Sequence, residues 1–293
     1  MENFGKTTER SETKIIENAV TKFWEGLEKK ADELRQPTAE TKIKDWWDSL
    51  FVHGLQNDNS EKSDNRVDDN GKPYMVDGNL LPNTTYEING NIYKTDDKGR
   101  IISCESKPQR TPENPRDVEA QKKAGGDDRK PNDQGGHIVG RDMNGDGGAG
   151  NLVAMDSRIN QSDYKRMEND IKYALDEDKE VTTKTDIIYN GDSERPDKIV
   201  VTVTIDGKDT VYTYDNNLDG SLMEKVAENG TESDVATVQS MIDETGGQIS
   251  SVKEEYDSNG NLEKTTVNIT YVGDDGKNYR TTVVIDNSNG GKS

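Results

Sequence analysis

Two histidines, His53 and His137, and one cysteine, Cys104, are the chain's whole stock of imidazole and thiol. A lone cysteine supports neither an internal disulfide nor a thiolate zinc cluster, so stability must come from packing. His53 ends an amphipathic stretch and reads most simply as a residue of a last helical turn. His137 follows Asp133-Gln-Gly-Gly and leads into Ile138-Val139. The paired glycines let backbone or ligand approach closely. Taken alone, His137 is as readily a satisfied polar residue as a functional base.

The segment downstream shifts that balance. Asn151-Leu-Val precedes a stretch in which Tyr164, Met167, Ile171, Ala174 and Leu175 recur at helical spacing, with Asn160 or Ser162 placed to cap the helix. Glu168 flanks this apolar stripe. A carboxylate so placed needs a partner, most simply a cation or its water shell. Eight residues separate Asn160 from Glu168, about 12 Å of helical rise. The two are therefore divided into Asn160 as a direct ligand and Glu168, leaning back toward the helix start, as the holder of a metal-bound water.

The ordered run Ala120-Gln-Lys-Lys-Ala-Gly-Gly-Asp-Asp-Arg129, Asp133-Gln-Gly-Gly-His137, Asn151-Leu-Val, Asn160, Tyr164 and Met167-Glu168-Asn169 resembles the DNA/RNA non-specific endonucleases of the ββα-metal (His-Me finger) superfamily. The nearest branch is the nuclease domains of bacterial polymorphic toxins, type VII secreted ones included. The likeness covers residues 117 to 215. It implies His137 as general base, Asn160 as the protein ligand of one Mg²⁺ (with Mn²⁺ as a substitute), Asn151 as a residue that steadies the site, and Glu168 behind the first ring of ligands. In the best-known members an arginine directly follows the motif's aspartate. Here Gln134 and an extra glycine stand in its place, so the phosphate-gripping guanidinium is assigned to Arg129 and, failing that, Arg141.

The resemblance further implies a sequence-nonspecific nuclease of DNA and RNA, the toxic part of an antibacterial effector, with an immunity protein as partner. It would be secreted without a cleaved signal peptide and act in the target-cell cytoplasm. Met1-Glu-Asn-Phe-Gly-Lys is followed by charge where a signal peptide places its apolar stretch, and no segment nears the ~18 apolar residues of a membrane helix, so membrane insertion is not expected.

Other readings of the same stretch fare worse. Asp142-Met-Asn-Gly-Asp146-Gly147 imitates half of an EF-hand loop, yet the twelfth position is Val153 instead of a bidentate Glu. No GK[ST] follows the glycines, so a phosphate-cradling loop is weaker still. A flexible connector between His137 and Asn151 is preferred to either.

The net charge of −20 opposes bulk attraction of a polyanion. Nucleic acid must then be gripped locally, by Lys122, Lys123, Arg129, Lys130, Arg141, Lys165 and Arg166 converging around His137. The rival reading is a non-catalytic acidic surface or adhesion-type module carrying a relic nuclease domain, which would not require the set His137, Asn160 and Glu168.

The elements around these residues divide the chain into an α+β protein of four parts. Residues 1–55 are expected to form a helical hairpin holding all three tryptophans, and residues 56–72 a solvated linker. Residues 73–217 are the ββα-metal domain, with strands turning at Asn89-Gly90, Gly99 and Asp206-Gly207 and a loop-rich stretch from Lys107 to Lys130. Residues 218–293 are an acidic α+β tail with a helix over Ser233 to Glu244 and a last hairpin formed by Thr265–Val272 and Asn278–Ile285. From Asn216 onward the chain holds 14 acidic and 6 basic residues, so it is expected to add nothing attractive to nucleic-acid binding. Hydrophobic residues are only 29% of the chain, against roughly 45–50%, counted with glycine, in ordinary domains, which argues against one core running through it.

Overall fold

A computed structural model describes residues 64–288. The expected helical hairpin, with its tryptophans and His53, lies outside them, as does the first part of the linker. Among the described residues the fold is α+β, and no helix is long and apolar enough to cross a membrane.

The chain begins with a small antiparallel sheet of β1 (Arg66–Val67), β2 (Pro73–Val76) and β3 (Asn79–Leu80). Residues 64–72 were expected within the solvated linker and instead fold back on β2. Asp68 is buried and accepts the backbone N–H groups of Asn70 at 2.9 Å and Lys72 at 2.8 Å, so a local polar turn does what apolar burial does elsewhere.

Nine strands form one antiparallel sheet. They are β4 (Thr85–Ile88), β5 (Asn91–Thr95), β6 (Ile101–Ser106), β9 (Val181–Ile188), β10 (Lys198–Ile205), β11 (Lys208–Asp215), β12 (Gln248–Tyr256), β13 (Leu262–Val272) and β14 (Asn278–Asp286), neighbouring one another in that order. The tight turns read from the sequence are present. Asn89 and Gly90, like Asp206 and Gly207, both have positive φ, the conformation that suits a two-residue hairpin to strand twist.

Strands β6 and β9 are hydrogen-bonded neighbours, yet some seventy residues separate them in sequence. That excursion is the motif-bearing segment. It contains α1 (Val118–Lys123), β7 (Asp133–His137), its antiparallel partner β8 (Leu152–Asp156), a π-type helical turn at Ile159–Tyr164 and α2 (Lys165–Asp176). Helix α1 lies in the stretch expected to be loop, started by Asp117, whose side chain accepts the N–H of Ala120 at 2.9 Å. The α2 stripe is buried as its spacing predicts: Met167, Ile171 and Ala174 pack with Tyr212, Tyr214 and Val201 of the large sheet.

A second hydrophobic cluster starts at Leu222. There α3 (Met223–Asn229) and α4 (Glu232–Thr245) cover Ile249, Val252, Val267, Ile269 and Ile285 of the last three strands. The core therefore changes near Leu218, where the tail was expected to begin, while the sheet does not break, since β11 pairs directly with β12. One sheet carries two cores, which is how a chain so poor in apolar residues still buries enough of them.

The motif segment is tied to the sheet by a buried ion pair. Asp133, at the head of β7, receives Arg195 Nε at 2.7 Å and Nη2 at 2.9 Å, and both side chains are almost wholly buried. Arg195 also reaches the Asn216 carbonyl at 2.7 Å and Asn217 Oδ1 at 2.9 Å. Replacing Arg195 by Met leaves Asp133 charged without its partner. Urea unfolding is expected to show a loss of about 3–5 kcal/mol. Arg195→Lys should recover little of it, since an ammonium cannot reproduce the planar fork.

Candidate functional site

His137 is the last residue of β7, and the two glycines before it are required by what lies against them. A Cβ on Gly135 would stand 2.6 Å from Gln121 Cα, so α1 crosses the strand there at backbone contact. One on Gly136 would meet Met155 at 2.9 Å and the Asn160 Oδ1 at 3.2 Å. The missing side chains thus let a helix in on one residue and the Asn160 amide in on the next.

The His137 ring is half-buried, and its Nε2 is buried with no hydrogen-bond partner among the described residues. Burial, with the nearby positive charges of Arg141 and Arg116, pushes its pKa down to about 4, while a backbone hydrogen bond at Gly147 acts the other way. At pH 7 the ring is neutral. An unpartnered, neutral imidazole nitrogen is a proton acceptor held ready.

Asn160 lies in the π-type turn, and its Nδ2 donates to Gln134 Oε1 at 2.7 Å. The amide orientation is thereby set, and Oδ1 faces Gly136 and accepts no hydrogen bond among the described residues. Gln134, which stands where an arginine was anticipated, acts here by aiming a neighbour's amide. Neither Asn160 nor Ser162 caps α2. The π-type turn runs straight into the helix, whose N-cap position is Tyr164 with no side-chain cap, because the helical backbone already starts at Ile159.

Glu168, in the first turn of α2, has Oε1 3.0 Å from where a Cβ of Gly140 would stand. Among the described residues no side chain hydrogen-bonds to it. Burial, followed by the Asp142 charge, outweighs Lys172 and Lys165 and raises its pKa to about 7. This carboxylate is placed where its charged form lacks compensation.

Asn151 is fully buried, and its whole amide is used. Oδ1 accepts from Tyr93 Oη and the Val139 N–H, both at 2.9 Å, and Nδ2 donates to the carbonyls of Val139 at 2.8 Å and Asp146 at 2.7 Å. It anchors both ends of the connection between His137 and β8. That connection was expected to be flexible; with Tyr164 Oη donating to the Ile138 carbonyl at 2.8 Å and Asn144 bonded to Asn89 at 2.7 Å, it is pinned along its length. The half EF-hand residues point their side chains to different protein partners. Asp142 meets Lys172 and Asp146 accepts from the Gly148 N–H.

The expected cation set divides. Arg129 donates to the carbonyls of Gln121, Ala124 and Asp133, at 3.1, 2.8 and 2.7 Å, so it holds α1 and β7 together instead of facing a phosphate. Arg141 pairs with Glu113 and the Asn114 carbonyl. Lys122 pairs with Glu119 and Lys130 reaches Asn217. Lys123, Lys165 and Arg166 are exposed. Arg116, missed by motif reading, is exposed, acts on His137 electrostatically, and makes no side-chain hydrogen bond or ion pair among the described residues. Its only sequence signal is its place in the basic stretch before α1.

A divalent cation fits this donor set in one way. Among the described residues there is no cluster of three or more His, Cys, Asp or Glu side chains that could hold a metal. A cation held through the Asn160 oxygen would keep mostly water in its shell, as Mg²⁺ does.

Set against known families, residues 82–207 match the DNA/RNA non-specific endonucleases. The chain carries an endonuclease domain of that family. The match starts well before residue 117, where the sequence motifs began, and takes in the strands that bring Tyr93 to Asn151. The chain is also similar to the type VII secretion system protein EssD of Staphylococcus aureus, in strains USA300 and NCTC 8325 / PS 47. Identity is 34% over 125 residues, which is 41% of this chain and 20% of the relative. The chain thus spans only a fifth of the length of the relatives it matches. His137, Asn151, Asn160 and Glu168 all fall inside the endonuclease domain, whereas β12 to β14 lie beyond it.

The elevated Glu168 pKa makes a signed prediction. Its folded carboxyl holds the proton more tightly than the unfolded one, so its contribution falls as pH rises from about 4.5 to 7 and stays unfavourable above. With EDTA present, Glu168→Gln should therefore be more stable than wild type at pH 8, by about 1–3 kcal/mol, and equal to it near pH 4. Urea titrations at both pH values measure this.

Proposed function

We propose that the chain is a divalent-metal-dependent, sequence-nonspecific endonuclease of DNA and RNA that uses Mg²⁺, with Mn²⁺ as a substitute. The observation that carries this reading is the buried Nε2 of a neutral His137, unpartnered among the described residues, on the strand whose preceding glycine, Gly136, faces the Asn160 amide oxygen. His137 takes a proton from a water attacking phosphorus, the phosphorus–O3′ bond breaks, and the leaving oxygen picks up a proton from solvent. The cation, when bound, neutralises charge on the phosphoryl oxygens and the leaving oxygen. Asn160 would hold it and Glu168 would face its water shell, while Gln134 keeps the Asn160 amide turned and Asn151 keeps His137 and the following loop in register.

Arg116 takes the phosphate-gripping place first assigned to Arg129, whose guanidinium is occupied by main-chain carbonyls. Lys122, Lys123, Lys165 and Arg166 supply the rest of a local groove, with Arg141 contributing charge. The similarity to a type VII secretion protein supports an exported antibacterial effector that acts in the target-cell cytoplasm, and a nuclease made by a cell that it could kill calls for an immunity protein there.

Plasmid and ribosomal RNA digestion with and without EDTA tests the reading. His137→Ala should fold and lose cleavage by at least about 100-fold. Asn160→Ala should need far more Mg²⁺, while Glu168→Ala should keep partial activity that Mn²⁺ improves. Full cleavage by a folded His137→Ala protein sinks the assignment.

Only a few phosphates can be neutralised by so small a groove. Log K for DNA should fall by roughly 0.9 per log unit of salt for each contact. Arg116→Ala should weaken binding to all sequences alike, and a loss confined to some sequences would point to base contacts.

A further inference from the structure

Asp163 lies in the turn Ile159–Tyr164, three residues after Asn160, and is buried. Every partner of its carboxylate but one comes from the last three strands. Oδ2 accepts Ser250 Oγ at 2.5 Å and Ser251 Oγ at 3.0 Å, both from β12. Oδ1 accepts Arg280 Nη1 at 3.0 Å, from β14, with the adjacent Ser162 Oγ at 3.4 Å. Asn268 of β13 closes the network. Its Oδ1 accepts Arg280 Nη1 at 2.9 Å and its Nδ2 donates to Ser251 Oγ at 2.8 Å.

Ser250, Ser251, Asn268 and Arg280 all lie outside the endonuclease match. An appendage that merely abuts a domain needs no buried charge to do so. Here the turn that presents Asn160 carries a carboxylate whose neutralisation depends on three strands from elsewhere, and a buried charge tolerates little drift from its donors. The turn is therefore clamped twice, by Gln134 of β7 through Asn160 and by β12 to β14 through Asp163.

We propose that Asp163 is a positioning residue through which the C-terminal strands aim the Asn160 amide oxygen at a divalent cation. This rests on the reading of Asn160 as the ligand. It turns the acidic tail from a bystander into part of the metal site's support, and it predicts that the endonuclease match alone is an incomplete site.

The test uses the full chain and Mn²⁺ binding, followed by the EPR signal of the free ion, with urea stability in EDTA alongside. Asp163→Asn and Arg280→Gln should weaken Mn²⁺ binding about 10-fold or more, the range set by lost outer partners of metal ligands. The Mg²⁺ midpoint for cleavage should move equally, while the rate at saturating Mg²⁺ stays near that of wild type. Arg280→Lys should restore part of the affinity. If Asp163→Asn does not fold, Arg280→Gln and the pair Ser250→Ala/Ser251→Ala carry the test, since each leaves the carboxylate some donors. Folded variants with lowered urea midpoints but unchanged Mn²⁺ affinity would overturn the proposal and leave the network a structural link. A wild-type chain that binds no Mn²⁺ would instead overturn the metal reading, and this inference with it.

Discussion

The ion pair between Asp133 and Arg195 is the constraint to which the site is referred. It is almost wholly out of water, bidentate, and closed by the main chain of Asn216, so the start of β7 has one position relative to the end of β11. Four residues along β7 comes His137, and a strand's rise is too stiff to absorb much error over that distance. Such a pair contributes little net stability against an apolar substitute, and its value is that no alternative packing satisfies both charges. Asn216 extends the same logic, since its side chain holds the Asp156 N–H and the carbonyls of Ala154 and Pro196. Both strands of the motif hairpin are thus keyed to the same corner of the sheet.

Around that fixed hairpin the polar groups fall into two kinds. Asn151, Asp163 and Arg129 are satisfied by several partners each, and all three hold backbone or neighbouring strands. Among the described residues His137 Nε2 and the Glu168 carboxylate have no hydrogen-bond partner, and burial shifts each toward its neutral form. Tyr214 Oη, on the ring packed against Tyr164, is the other buried polar atom near them without a partner among the described residues. The same arrangement costs stability, and the uncompensated groups sit on a strand end and a helix, elements held by the surrounding fold.

How much of this was legible in the sequence depended on the range of the interaction. Hairpins at Asn89-Gly90 and Asp206-Gly207, the α2 stripe and the α4 helix follow from patterns a few residues long and are found where those patterns lie. The motif spacing also placed His137, Asn151, Asn160 and Glu168 in one excursion. Roles that depend on distant partners did not show. Arg129 looked like a phosphate ligand because its type suits one, but three carbonyls made by the α1 crossing claim it. Gln134 looked like a departure from a pattern, and Arg195, 62 residues from Asp133, carried no local signal at all. The same blindness applied to the tail, whose charge count marked it as separate while its strands were completing the sheet.

The tail also bears on how so acidic a chain meets a polyanion. Its cations are not spread indifferently: Arg280 is drawn to Asp163 of the endonuclease segment and Lys225 to Glu254, so two of the tail's six cations are turned inward to buried acids. What remains outside is strongly negative, and it belongs to the strands that bond Asp163 in the turn carrying Asn160. Exposed cations of the endonuclease domain, Arg116, Lys123, Lys165 and Arg166, stand on α2 or beside and on α1, the two helices that flank His137 in sequence. A chain of net charge −20 would repel nucleic acid over most of its surface and admit it only where these few cations outweigh the background. Of these cations Arg116 is the one whose charge is felt at the histidine, so repulsion elsewhere would act as orientation toward the stretch before α1.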